Sequence, residues 1–246
     1  MLAGRYNIKG GYIRAWNTFP EHPEDDKKGW AIIDCMMNIP LLYWASEITG
    51  DERFEYIAMS HADKVIDNFI RPDGSVSHIV KFNPTNGEFI KSIAGQGYAD
   101  DSSWSRGQSW AINGFSQSYI ATGEKRYLDA AKRVANYFIA ACVDDALPRC
   151  DFRQPSDVVA YDSSAAAIAS VGLINISNAC EGAEKEMYLS AALRFLKTLD
   201  ERCCPWENEN DEAILNYGME RFNSGHRALI YGDYYFLEAI LKLKNM

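Results

Sequence analysis

The chain has 246 residues, room for one good core or at most two small domains. A hydrophobic content of 47% and a charged content of 24% are those of an ordinary soluble globular protein. The net charge of −9 argues against nucleic acid or an anionic membrane surface as partner, because both select a basic face. A small anionic ligand in a local Arg/His pocket stays compatible with it.

Residues 1–28 read as an ordered polar loop followed by a solvated charged turn over 21–28. A buried helix is expected from Gly29 to about Ile48, because apolar residues fall on nearly every face. Thr49-Gly50-Asp51 then stops one helix and caps the next. An amphipathic helix over about 52–70 follows, with Phe54, Ile57, Ala58, Val65 and Phe69 on its inner side. Residues 77–82 suit a short strand, and 83–87 a turn. A helix running to Thr122, an amphipathic helix to about Cys142, a loop over 144–161, a buried helix from Asp162, and a last helix over about 228–243 complete the reading. Thr122-Gly123 repeats Thr49-Gly50, and Glu181-Gly182 is a third copy of the turn. Such a repeat of buried and amphipathic helices means stacked α/α hairpins, and the buried inner helices favour a toroid over a solenoid. The expected fold is all-α, three hairpins plus one unpaired helix.

The stretch Gly95–Trp110 concentrates three glycines, adjacent Asp100 and Asp101, Trp104, Trp110, Arg106 and two glutamines. Glycines allow a ligand close to the backbone, arginine offers a fork for a carboxylate, and tryptophans offer flat faces for a sugar ring. The stretch reads as a ligand loop feeding a helix N-terminus. Asp100 and Asp101 tempt a glycosidase reading, but adjacent carboxylates before a helix are better explained as capping residues. Asp162 likewise reads as an N-cap and Asp233 as structural. The six cysteines lack zinc-ligand spacing and read as reduced, mostly buried thiols. No metal or other cofactor is expected. No apolar run reaches membrane-spanning length, and residues 1–6 lack a signal-peptide pattern, so a cytoplasmic location is expected.

The segments Gly29–Ala45, Ser77–Val80, Gln96–Trp110, Asp162–Ala167 and Ile230–Phe236, in that order, resemble the unsaturated glucuronyl hydrolases of glycoside hydrolase family 88. The resemblance implies an (α/α)6 toroid. It also implies removal of a 4,5-unsaturated uronic acid from the non-reducing end of lyase-generated oligosaccharides. In such enzymes an Asp protonates C4 of the double bond and activates the water that adds at C5. Asp34 matches that acid/base residue. A lone carboxylate among Trp30, Ile32, Ile33, Cys35 and Met36 is desolvated, which favours the protonated form a donor needs; a capped or Arg-paired structural Asp is the alternative. His78, Gln96, Arg106 and Trp110 match substrate-holding positions, and Trp16 matches a stacking tryptophan. Taken alone, His78 also suits a strand edge, Arg106 a salt bridge, and Trp104 and Trp110 core packing.

The resemblance also implies a second Asp in a His-Asp-x-Gly-Phe-like motif, and this sequence has no His-Asp pair. Together with the helix count, this reads residues 1–246 as a single partial toroid domain, the C-terminal portion of the family's chain, with impaired or no activity and an open edge prone to self-association. Two alternatives stand beside it: a carbohydrate-binding or vestigial α/α protein without turnover, and an unsaturated rhamnogalacturonyl hydrolase.

Overall fold

The computed structural model describes residues 2–17 and 27–246, so most of the charged turn expected over 21–28 lies outside the described residues. The chain opens with a 3-10 turn, Ala3–Arg5, and a short antiparallel ribbon of β1 (Tyr6–Asn7) and β2 (Tyr12–Ile13). A three-stranded antiparallel sheet follows, in the order β3 (Trp30–Ile32), β4 (Ile79–Phe82), β5 (Phe89–Ile93). The rest is helical: α1 (Pro40–Thr49), α2 (Glu52–Phe69), α3 (Ser105–Thr122), α4 (Lys125–Ala141), α5 (Ser163–Asn178), α6 (Gly182–Arg202) and α7 (Ile230–Lys244).

The helices pair as α1/α2, α3/α4 and α5/α6, with α3 and α7 both packed on α5. Among the described residues there are therefore three hairpins and one further helix, as the repeat requires. Gly50 and Gly123 end α1 and α3 in the left-handed conformation (φ 69° and 71°), which a residue without Cβ adopts at no steric cost. Asp51 caps α2 by accepting from the Arg53 N–H, and Asp162 caps α5 by accepting from the Ser164 N–H. The third copy of the turn differs. Ala179 ends α5, and Gly182 (φ 55°) instead opens α6.

The core lies between the hairpins. All residues of α5 from Ser163 to Ser177 are buried, because α3, α6 and α7 cover it on different sides. Phe115, Tyr127, Phe138, Ile174, Tyr188 and Phe195 fill the layers between neighbouring helices.

Three expectations are corrected. Residues 29–48 are not one helix. Trp30, Ala31 and the β-branched Ile32 extend and pair with β4, a 3-10 turn spans Ile33–Met37, and Pro40, suited to the first helical turn, opens α1. Nor is α1 buried all round, since Leu41, Trp44 and Ile48 face outward and are more than half exposed. Asp100 and Asp101 do not start α3; Asp100 instead accepts from the Ala94 N–H and closes the preceding loop.

Candidate active site

Strand pairing brings the first two site residues together. β3 and β4 run antiparallel with Ile32 opposite Ile79, and the Ile33 N–H donates to the His78 carbonyl at 2.9 Å. Asp34 follows β3 and His78 precedes β4, so their side chains meet. His78 Nε2 stands 3.3 Å from Asp34 Oδ2, an electrostatic contact short of an aligned hydrogen bond. Oδ2 is buried, yet the Asp34 side chain keeps 29% of its surface open. Asp34 thus sits on a 3-10 turn with part of its carboxylate open, less desolvated than a carboxylate inside a buried helix.

The tautomer of His78 follows from its other nitrogen. Nδ1 has two backbone neighbours, the Gln96 N–H at 2.9 Å and the Ala94 carbonyl at 3.2 Å; the shorter contact is to a group that can only donate, so it favours Nδ1 as acceptor with the proton on Nε2, facing Asp34. This contact depends on Gly95 (φ 60°), where a Cβ would lie 2.2 Å from His78 Nδ1. The glycine is the reason the loop backbone approaches the imidazole so closely.

The rest of the Gly95–Trp110 stretch is held by a residue that the sequence reading missed. Asp151 is fully buried and accepts from the Tyr98 and Ser103 N–H groups and the Ser102 hydroxyl. It lies in the loop between α4 and α5, and no local pattern marks it. Only the fold reveals that its carboxylate organises a loop some fifty positions earlier.

Arg106, in the first turn of α3, is 1% exposed. Its guanidinium pairs with Asp162 Oδ2 and donates to the Met219 and Glu220 carbonyls. Burial pushes the Asp162 carboxyl upward, and Arg106 and the Ser164 donors pull against it. The alternative of an ion pair is therefore realised for Arg106, in the interior rather than at the surface. Gln96 donates from Nε2 to the same Glu220 carbonyl at 2.6 Å.

Rings and guanidinium form a continuous column. His78 lies 4.4 Å from Trp104, Arg106 sits 4.5 Å over Trp104 and 5.2 Å over Tyr231, Tyr231 lies 6.2 Å from Trp110, and Trp110 lies 5.4 Å from Tyr235. Asp34, His78, Gln96, Arg106 and Trp110 thus belong to one connected set, joined by Trp104, Asp162 and Tyr231. Trp16 is not brought into it. It stands 37% exposed beside Trp30, ring centres 6.1 Å apart. Asp233 accepts from the Leu215 N–H and ties the preceding loop to α7.

Arg106, Asp162 and Tyr231 lie at the N-terminal ends of α3, α5 and α7, whose partial positive charge favours an anion. One half-open carboxylate with an oriented imidazole beside it is an arrangement for moving a proton. The neighbouring Cys35 is a poor nucleophile, its thiol pushed up to about 12 by burial and then by the charge of Asp34. Among the described residues, no group of His, Cys, Asp and Glu is placed to hold a metal ion.

No protein-family profile matches the chain. It is similar, at 35% identity over its whole length, to an unsaturated glucuronyl hydrolase of Bacillus sp. (strain GL1), of which it covers 66%. It is similar, at 36% identity over 98% of its length, to an unsaturated chondroitin disaccharide hydrolase of Streptococcus pneumoniae, of which it covers 61%. The solved structure of the Bacillus enzyme superposes with a TM-score of 0.93, over 99% of this chain and 65% of that one. A Streptococcus agalactiae unsaturated glucuronyl hydrolase variant complexed with dGlcA-GalNAc6S matches 86% of this chain and 58% of that one, with a TM-score of 0.73 and 32% identity. The chain spans about two thirds of the length of the curated relatives it matches. Its hairpins are those of an α/α toroid.

Proposed function

From the family to which the chain belongs, the unsaturated glucuronyl hydrolases, we propose that its site removes a 4,5-unsaturated uronic acid from the non-reducing end of lyase-generated oligosaccharides. Asp34 delivers a proton to C4 of the double bond, and its carboxylate then takes a proton from the water that adds at C5. The hydrated sugar rearranges and the glycosidic bond breaks. His78, with its proton on Nε2, holds Oδ2 of Asp34 and so orients the carboxylate. Trp110 and Tyr231 offer ring faces to the sugar, and Gln96 and Arg106 line the same column. Trp16 belongs to this reading only as a more distant stacking platform beside Trp30. Residues 1–246 belong to a single catalytic toroid domain and make up part of it. Six unpaired cysteines, five of them buried, fit a reducing cytoplasm.

The observation that carries the reading is the Asp34–His78 contact at the edge of an aromatic column, where helix N-termini favour a carboxylate-bearing sugar. Loss of the ultraviolet absorbance of the unsaturated uronate, followed with glycosaminoglycan-lyase disaccharides, tests it. Asp34→Asn should slow that loss by about 10²–10⁴-fold, the usual contribution of a proton-transfer group. An Asp34→Asn protein as fast as the parent would overturn it. Faster loss with pectin-derived substrates would point to rhamnogalacturonyl hydrolysis instead. A second reading is saccharide binding without turnover. Equilibrium binding of the disaccharide with its absorbance intact would select it.

A further inference from the structure

A loop between α6 and α7, residues 217–227, is held over the site by side chains that the sequence alone assigns to other work. We propose that Asp162 and Arg106 are positioning residues, the pin of this flap, with Gln96 as its third anchor. This rests on the reading of the site given above, and it changes what Arg106 does there, from touching the sugar to holding the wall beside it.

The contacts converge on three neighbouring residues, Met219, Glu220 and Phe222. Arg106 Nη1 donates to the Met219 carbonyl at 2.8 Å and Nη2 to the Glu220 carbonyl. Gln96 Nε2 donates to that same Glu220 carbonyl at 2.6 Å, and the Phe222 N–H returns a bond to the Gln96 carbonyl at 2.9 Å. The Met219 N–H donates to Asp162 Oδ1 at 3.3 Å. Asp162 therefore holds the flap twice, directly and through the Arg106 guanidinium it orients. Below the pin, the Ser163 N–H and hydroxyl take the Tyr217 and Asn216 carbonyls. Above it, Phe222 packs edge-on against Tyr98 at 5.1 Å.

Two features indicate that the flap is constrained rather than relaxed. Tyr217 and Asn223 both adopt left-handed backbone (φ 64°), and for a tyrosine that conformation persists only where the surroundings enforce it. The guanidinium of Arg106 lies against Trp104 and Tyr231 and is almost wholly buried, so its polar bonds are made to Asp162, Ser164 and the flap carbonyls. Tyr231 links the flap to the chemistry. Burial is the main influence raising its pKa, and the charges of Arg106, Asp162, Glu220 and Asp34 all act on it.

Asp162→Asn is the informative variant, because Asn caps a helix as well as Asp and keeps the volume, while the charge that orients Arg106 is lost. Arg106→Lys keeps the charge and loses the fork. Amide hydrogen exchange of the chain without ligand is the primary readout. Both variants should speed exchange within residues 218–227 by about tenfold or more, with α3 and α5 unchanged. The dissociation constant of a 4,5-unsaturated glucuronyl disaccharide should rise in parallel, and the thermal midpoint should fall further in Asp162→Asn, which leaves the Arg106 guanidinium buried without its counter-charge, than in Arg106→Lys. If Asp162→Asn loosens α3 and α5 as well, Gln96→Ala decides, since Gln96 lies outside the helical core. It should loosen the same residues by a few-fold. Unchanged protection of 218–227 in Arg106→Lys and Gln96→Ala overturns the proposal. So does faster exchange with an unaltered dissociation constant. A chain that binds no disaccharide at all fails the functional reading, and the exchange of the ligand-free flap still judges the pin.

Discussion

His61 sits fully buried in α2, and its Nδ1 accepts from the Ile13 N–H at 3.1 Å, tying the N-terminal ribbon to the first hairpin. Burial without a counter-charge pushes its pKa from 6.5 down to about 4. Between those values the unfolded chain binds a proton that the folded chain refuses. This contribution to stability is complete above pH 6.5 and is lost as pH falls toward 4, a difference of about 3 kcal/mol. Urea midpoints at about pH 7 and about pH 4.5 should therefore separate clearly in the parent. In His61→Gln, which keeps an acceptor for Ile13, the gap should shrink. Equal gaps in the two proteins would remove His61 from the account.

At the level of elements, α3 and α5 approach closely enough to leave no room for a methyl group. A Cβ on Gly172 would lie 2.7 Å from Ile112 Cγ2 and 2.9 Å from the Asn113 backbone. Alanine would gain about 1 kcal/mol of helix propensity. Overpacking against an unyielding backbone costs about 1–3 kcal/mol, so the clash should prevail. Gly172→Ala is expected to lower the thermal midpoint by a few degrees, as about 1 kcal/mol does in a chain of this size. A raised midpoint would mean the two helices can separate freely. Since α3 and α5 carry Arg106 and Asp162 at their N-termini, their spacing also sets the reach of that ion pair.

At the scale of the whole molecule, α1 and α7 turn apolar residues outward. Leu41, Trp44 and Ile48 are exposed on one, and Tyr234, Leu237 and Leu241 on the other. Between these helices runs a cleft of about 730 Å³ with Tyr43, Gln117 and Asn175 among its lining residues. Apolar faces of that kind drive association. Sedimentation should be concentration-dependent, and Trp44→Glu combined with Leu237→Glu should suppress the larger species. A parent that sediments as a monomer at every concentration would contradict this.

The helix-and-turn repeat was legible in the sequence because it is local: glycines at Gly50 and Gly123, a capping Asp51 and Asp162, and apolar spacing along α2 and α4 each act within a few residues. Asp34, His78, Gln96, Arg106 and Trp110 were picked out as candidates through a family's motifs. Their arrangement was not. Asp34 meets His78 because β3 pairs with β4 across more than forty residues, and the apolar run at Trp30–Ile33 suits a helix or a strand until a partner strand is present. Asp151 organises the glycine-rich loop from a distant segment, and Arg106 turns to Asp162 and the Glu220 carbonyl. A buried charge takes whatever partner the folded chain brings within reach, and no spacing along the sequence specifies which one that is.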